Sequence, residues 1–473
     1  MCSEYIPYDE IISQGLSFTD SDRLFKWNGT LFRGIPSERA SFCRNLFNKG
    51  IMQELIAKKL FVETEITPLK IDRYEIVLKH RTIPFVSYPQ EWCDMMLKDA
   101  ALHQLDFCLE LDSYDLRSAD SHPLNILFDE CQPVFVDFGS IEPIPTDGSY
   151  LAWHRYEQFS RVFIRPLRLM AKGHDRIARW LLHDYELGIL KTDIDALMYG
   201  LGWNMTRNMI SRLKSSVWLH LPLPIRNIIK KVHMPRRHPM QKSSNHLQSR
   251  QAFLKQIHKE VESIKLTSTQ LKTPDSSGGS TPLLPSENRT SICSAVSKVL
   301  SDLRPGSVLN IGRNIHGTDI PLLAARYGSK VVAVNPDETN VRNLYAVAKR
   351  NCFPVLPLQI NFFSPSYDLS NYWFKPASER LRCDLVLALD LINQLVKEEY
   401  RFDLIAQRLS ALSNHWLLVD FTPDNDWESN IVKTARESWY TLDSLMNELA
   451  KWFRSVNKIS SQSEHRVLLL CEK

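Results

Sequence analysis

The chain has 473 residues, of which 44% are hydrophobic and 24% charged, so it can bury sizeable cores and is not disordered as a whole. Lys and Arg outnumber Asp and Glu by 58 to 54, a net charge of +4, too small to argue for nucleic acid, and no nucleic-acid partner is expected. Glycine, at 16 residues, is too scarce for collagen-like or glycine-linker architectures, and the length predicts about three domains of roughly 150 residues each.

Nine cysteines are scattered along the chain, odd in number and never spaced C-x-x-C. This pattern suits reduced thiols in a cytoplasmic protein better than a disulfide framework or a zinc site. The opening MCSEYIPYDEII has neither a basic nor an apolar signal region, so no secretory signal is expected. No apolar run approaches the ~18 residues needed to cross a bilayer, and no transmembrane segment is expected. Without export, the Asn-x-Thr sequons at Asn28, Asn204 and Asn288 carry no glycan.

In chain order, LFKWNGTLFRGI predicts a hairpin turning at Asn28-Gly29 in a type I′ geometry. A helical stretch, SFCRNLFNKGIMQELIAKKL, follows, then a strand and an extended segment within YEIVLKHRTIPFVSYPQEW. In LRSADSHPLNILFDECQPVFVDFGSIEP, the runs NILF and PVFVDFG predict two short strands joined at ECQP. That segment sets Asp120 five positions before Asn125, and Asp137-Phe138-Gly139 beginning twelve after it.

This ordered set resembles the catalytic loop D-x-x-P-x-N and the D-F-G of protein-kinase-like phosphotransferases. The resemblance implies that Asp120 receives a hydroxyl proton while Asn125 and Asp137 hold magnesium on ATP. Arg33 stands where a strand lysine is expected, with Glu54 as its candidate partner, and neither G-x-G-x-x-G nor V-A-I-K occurs. An N-terminal, degenerate protein-kinase-like fold is therefore expected, with a reduced small lobe over 1–85 and a large lobe over 86–232.

Composition changes over 233–290, from KKVHMPRRHPMQKSSNH to TPDSSGGSTPLLPSEN, which predicts a linker. Within it, RQAFLKQIHKEVESIKL has apolar positions 253, 254, 257, 261 and 264 and predicts a single helix. The basic cluster of Arg226, Lys230, Lys231, Arg236, Arg237 and Lys242 is either a solvated part of the linker or a contact for an anionic partner.

The last part, 291–473, alternates strand and helix signals. Ser307 to Ile311 leads into a loop with Gly312 and Gly317, then a helical pattern from Asp319, a stop at Gly328 and the buried-type strand KVVAVN. The rhythm continues through VLPLQINFF, CDLVLALDL and HWLLVDFT to two strand candidates in the tail. This predicts a doubly wound, mostly parallel, Rossmann-like sheet. The chain as a whole is thus expected to be a two-part protein of α+β and α/β class.

The run VLNIGRNIHGTDIPLLAARYGSKVVAVNPDE resembles motifs of class I S-adenosylmethionine-dependent methyltransferases, and the reversed last strand suits that family better than a dehydrogenase. The resemblance implies that Gly312, Asn314 and Gly317 border the methionine part of the cofactor. Asn335 would face the ribose hydroxyls, and Asn361 with Phe362 would lie near the adenine. The family usually carries acids where this chain has Asn310 and Asn335, and glycine where it has His316. Asp390 and Asp420, ending the fourth and fifth strand runs, are candidates for orienting a hydroxyl acceptor or, alternatively, cap the turns that follow.

As a whole, the chain resembles bacterial two-part proteins, including rhizobial host-specific nodulation proteins, that join a trimmed kinase-like module to such a methyltransferase. This implies methylation of a Nod-factor-like lipo-oligosaccharide or surface glycan, with the kinase-like half recognising the acceptor. A bifunctional enzyme using both S-adenosylmethionine and Mg-ATP, and a non-catalytic scaffold, are the alternatives.

Overall fold

The computed structural model describes residues 5–13, 23–145, 155–184, 187–199, 250–266, 287–312, 319–363, 375–422, 439–459 and 466–473. They fall into two compact units. The first comprises Met1–His103, Leu124–Val136 and Ser268–Lys473, and the second Gln104–Pro123 and Asp137–Thr267.

In the first unit, β1 (Ile12–Ser13), β2 (Arg23–Trp27), β3 (Thr30–Ile35), β4 (Thr64–Ile66) and β5 (Ile76–His80) form an antiparallel sheet in the order β1-β2-β3-β5-β4. Trp27 pairs with Thr30 across Asn28-Gly29, whose φ angles of 47° and 75° are those a type I′ turn requires. Two helices, Ser37–Asn48 and Ile51–Ala57, lie between β3 and β4 in sequence and bury Ala40, Cys43, Leu46, Ile51, Met52 and Leu55. Phe25, Phe32 and Val77 join Ile6 and Ile71 in a small core against which Tyr74 packs.

The next strands are β6 (Leu116–Ser118), β7 (Ile126–Asp129), β8 (Gln132–Phe135) and β9 (Ile141–Pro143). β7 and β8 make the expected hairpin in the first unit. Its Phe135 carbonyl accepts the Val62 N–H at 3.0 Å. In the second unit, β6 pairs with β9. There the Arg250–Ser263 helix buries Phe253, Leu254, Ile257 and Val261. Phe253 meets Tyr156 edge-on at 5.5 Å, and Arg250 is 2.7 Å from the Asp112 carboxylate. The helix expected within the linker is therefore packed along its apolar stripe.

The C-terminal part of the first unit forms a seven-stranded sheet from β10 (Ser307–Ile311), β11 (Lys330–Asn335), β12 (Val355–Gln359), β13 (Cys383–Ala388), β14 (Ser413–Phe421), β15 (Ser455–Ile459) and β16 (Val467–Glu472). Its order is β12-β11-β10-β13-β14-β16-β15. Neighbours from β12 to β14 are parallel, and β16 runs antiparallel to both β14 and β15. Parallel strands covered on both faces need continuous apolar runs, and VVAV of β11 and LVLA of β13 are buried throughout. The doubly wound sheet with a reversed last strand is the arrangement the sequence predicts. β10 lies at the switch point, where strand order reverses and the carboxyl ends open a crevice.

Within the first unit, polar and aromatic contacts link the segment that follows β5 and the β7–β8 hairpin to the Glu338–Asn351 and Ala377–Arg380 helices. Fully buried Asp94 takes Arg342 at 2.6 Å, and Asp99 accepts both Tyr345 Oη and Lys349 Nζ at 2.5 Å. Phe128 stands edge-on to Trp92 at 4.9 Å and to Tyr345 at 6.2 Å. Arg380 forks onto the Glu91 carboxylate and lies over the Tyr88 ring at 4.3 Å.

Candidate functional site

The carboxyl edge of the C-terminal sheet gathers most of the described residues expected around a cofactor. Asn310 is buried, one residue from the end of β10, opposite Ala333 and Leu387. Gly312 follows β10 and donates its N–H to the Val334 carbonyl at 3.0 Å. Asn335 closes β11 and is also buried; its Oδ1 accepts the Asp337 N–H at 2.8 Å. Asp337 in turn caps the Glu338–Asn351 helix, accepting from the Thr339 and Asn340 N–H groups. Such a cap contributes about 1 kcal/mol and fixes where the helix starts. Asn314, Gly317 and His316 lie outside the described residues.

Asn361 follows β12, and its Oδ1 accepts the Phe363 N–H at 3.2 Å. The Phe402–Leu412 helix steadies this turn from behind, with Arg408 donating to the Phe362 carbonyl at 2.9 Å. Tyr400 Oη donates to the Phe363 carbonyl. At the end of β12 itself stands Gln359, in register with Asn335. Its Nε2 donates to the Pro336 carbonyl at 3.1 Å, while its buried Oε1 has no hydrogen-bond partner among the described residues. Motif spacing gave no reason to select Gln359; strand register does.

Asp390 and Asp420 are brought together at the ends of β13 and β14. The Asp390 N–H donates to Asp420 Oδ1 at 2.8 Å, and Asp390 holds a φ of 55°, a region that Asp tolerates better than most residues. Arg466 pairs with Asp390, and its Nε lies 3.3 Å from Asp420 Oδ2. Burial pushes the Asp420 carboxyl up to about 6, with the Asp390 charge adding to the shift and Arg466 opposing it. Asp420 thus organises the turn that carries Asp390, which is the more exposed carboxylate of the two. Arg466 was not selected from the sequence; its only signal is a lone charge opening the apolar run RVLLLC.

The residues of the kinase-like motif are divided between the units. In the second, the Asp120 carboxylate accepts Gln158 Nε2 at 2.6 Å, and Gln158 Oε1 accepts the Ser121 N–H at 3.1 Å. Asp137 accepts the Gly139 N–H at 3.1 Å and caps the Phe138–Ser140 turn. Asn125 belongs to the first unit, where its carbonyl accepts the Val136 N–H at 2.9 Å. Arg33 is buried on β3, whereas Glu54 is exposed and pairs with Lys58 at 2.8 Å.

The donor set at the carboxyl edge suits a neutral, hydroxyl-bearing group. Asn310, Asn335, Gln359 and Asn361 are carboxamides, able to donate and accept without imposing a charge. A ribose and adenine fit this chemistry, so the residues present are compatible with S-adenosylmethionine.

No protein-family model matches the chain. Among curated proteins, it is similar to nodulation protein NoeA of Rhizobium meliloti (strain 1021), with 30% identity over 148 residues. That stretch is 31% of this chain and spans only 28% of NoeA. Among solved structures, the magnesium protoporphyrin IX methyltransferase ChlM of Synechocystis PCC 6803 with bound SAM is 14% identical, covering 41% of this chain and 86% of that one at a TM-score of 0.28. The bifunctional kinase-methyltransferase WbdD is 16% identical, covering 40% of each chain at a TM-score of 0.28. The sequence likeness of this chain is thus to part of a nodulation protein, and its architecture stands on its own strand order.

Proposed function

We propose that the chain is a cytoplasmic S-adenosylmethionine-dependent methyltransferase that modifies a glycan or lipo-oligosaccharide linked to legume nodulation. The observation that carries this reading is the strand order with a reversed last strand. It sets Gly312, Asn335, Asn361, Asp390 and Asp420 along one carboxyl edge. Asn310, Gly312, Asn335 and Asn361, together with Asn314 and Gly317, would hold the cofactor. When bound, it supplies an electrophilic methyl group on a sulfonium.

The chain's own contribution is positional. Asp337 and Arg408 fix the turns that carry Asn335 and Asn361, while Asp420 and Arg466 orient Asp390 toward a hydroxyl acceptor. Methyl transfer is an in-line displacement, so alignment supplies much of the rate, and Asp390 would receive the hydroxyl proton. The NoeA likeness supports the link to nodulation, and the N-terminal half would recognise the acceptor.

The test is calorimetric titration of the full chain with S-adenosylmethionine, followed by methyl transfer to lipo-oligosaccharide fractions. Asn335→Ala should weaken binding about tenfold, because it removes the side chain and frees the Asp337 N–H. No binding at about millimolar ligand would overturn the reading.

A second reading, phosphotransfer with Mg-ATP, would rest on Asp120 and Asp137 of the second unit, each of which accepts a hydrogen bond from a neutral donor. Magnesium-dependent ATP turnover abolished by Asp137→Ala would support it, and absence of turnover would remove it.

A further inference from the structure

A carboxylate at the end of the second strand would accept hydrogen bonds from both hydroxyls of a ribose, but this chain has Asn335 there. It has one acceptor oxygen where a carboxylate has two, and one lone pair of that oxygen already takes the Asp337 N–H at 2.8 Å. A ribose diol has two hydroxyl protons to place, so a second acceptor oxygen on the carboxyl edge would complement what Asn335 has left. Gln359 is placed to do so. It pairs in register with Asn335 on the adjacent parallel strand, so both side chains leave the same face of the sheet.

The orientation of the Gln359 amide is set by its surroundings. Pro336 contributes a carbonyl and no N–H, so only the NH2 end of the amide can face it, as it does at 3.1 Å. The carbonyl end is thereby turned away from Pro336. That Oε1 is buried and has no hydrogen-bond partner among the described residues. A buried acceptor left unmade costs free energy in the unliganded fold, a cost that a hydroxyl donor would remove.

Resting on the methyltransferase reading above, we propose that Gln359 is a cofactor-binding residue whose Oε1 accepts a ribose hydroxyl, taking over the role of the missing second-strand carboxylate. Asn335 then acts as donor to the diol through its amide nitrogen, and the pair replaces one charged acceptor with two complementary carboxamides.

The experiment titrates the full chain calorimetrically with S-adenosylhomocysteine and with its analogue lacking both ribose hydroxyls. The wild-type chain should prefer the hydroxylated ligand. Gln359→Met, similar in length but without the amide, should weaken that ligand about threefold to tenfold and leave the analogue nearly unchanged, so the preference collapses. Gln359→Glu keeps an acceptor and should restore most of the preference, which a purely structural role for the amide would not do. Unfolding midpoints identify any variant whose loss is only one of folding, and Gln359→Glu remains the deciding variant if Gln359→Met fails to fold. A folded Gln359→Met that keeps the wild-type preference, or a folded Gln359→Glu that lacks it, decides against the proposal, while the cofactor reading stands. Failure of the wild-type chain to bind either ligand would overturn both.

Discussion

The two sheets of the first unit bury polar side chains in different places, and the difference bears on how a site is recognised. In the antiparallel sheet, Arg33, Thr64 and His80 are buried on strands whose register sets them on one face. Thr64 Oγ1 lies 2.8 Å from His80 Nδ1, so part of this cluster is satisfied from within the sheet. In the parallel sheet, Asn310, Asn335 and Asp420 are buried at or near the carboxyl ends of their strands. There the winding of the fold leaves a crevice, and a polar group can meet a ligand. Burial of a polar residue alone therefore does not mark a site; its place relative to the switch point does.

The largest expected effect tests whether the two sheets are one cooperative body. Arg380 and Glu91 are both nearly buried, with side-chain exposures of 6% and 11%. Arg380 also donates to the Val86 carbonyl at 2.6 Å. Arg380→Ala leaves the Glu91 carboxylate its Tyr88 N–H, at 2.9 Å, but no cation, and should cost about 3–5 kcal/mol. Urea unfolding followed by fluorescence should show that loss as one shifted transition. A midpoint that does not move would mean that the sheets are stable separately.

Much of the C-terminal sheet was legible because its signals are local. The runs SVLNI, KVVAVN and CDLVLA carry short apolar stretches, and they coincide with β10, β11 and β13. Asn28-Gly29 likewise dictates its turn through two positive φ angles. Less of the candidate site was legible, because it depends on what lies beside each residue. Gln359 gains meaning only from its register with Asn335, and Arg466 only once β16 turns back beside β14. The packing of the 250–263 helix was hidden for a similar reason. Its apolar stripe is visible in sequence, but the flanking Ser, Pro and Gly composition says nothing of the partners Tyr156 and Asp112.

A smaller effect probes the close packing of the antiparallel sheet. Gly34 on β3 lies under the Tyr74 ring, and an added Cβ would come within 2.4 Å of its carbons. Ring carbons near Cα cannot swing aside as a flexible chain end can, so Gly34→Ala should destabilise by about 1–3 kcal/mol. Tyr74→Ala in the same chain should recover part of that loss by removing the clash. If Gly34→Ala costs the same with and without Tyr74, the ring is not what excludes a side chain.

The smallest effects, read over about two pH units, should have opposite signs in the two sheets. Burial, reinforced by the Arg33 charge, pushes His80 down to about 3. Below its ordinary value the unfolded chain takes up a proton that the folded chain refuses, so His80 withdraws about 1.4 kcal/mol for each unit of pH lost below about 6.5. Asp420, pushed up to about 6 by burial, behaves in the reverse way. The folded chain takes its proton near pH 6 while the unfolded carboxylate stays charged to about 4, so Asp420 contributes up to about 1.4 kcal/mol per unit as pH falls through that window. Urea midpoints measured from about pH 7 to pH 5 separate the two. Between pH 7 and pH 5, His80→Gln should lose less stability than the wild-type chain, and Asp420→Asn, which cannot take up the proton, should lose more. Parallel pH curves for all three proteins would show that neither group titrates with folding. Curves that diverge in the expected directions would establish that the buried polar face of one sheet and the carboxyl edge of the other are held in opposite protonation balance.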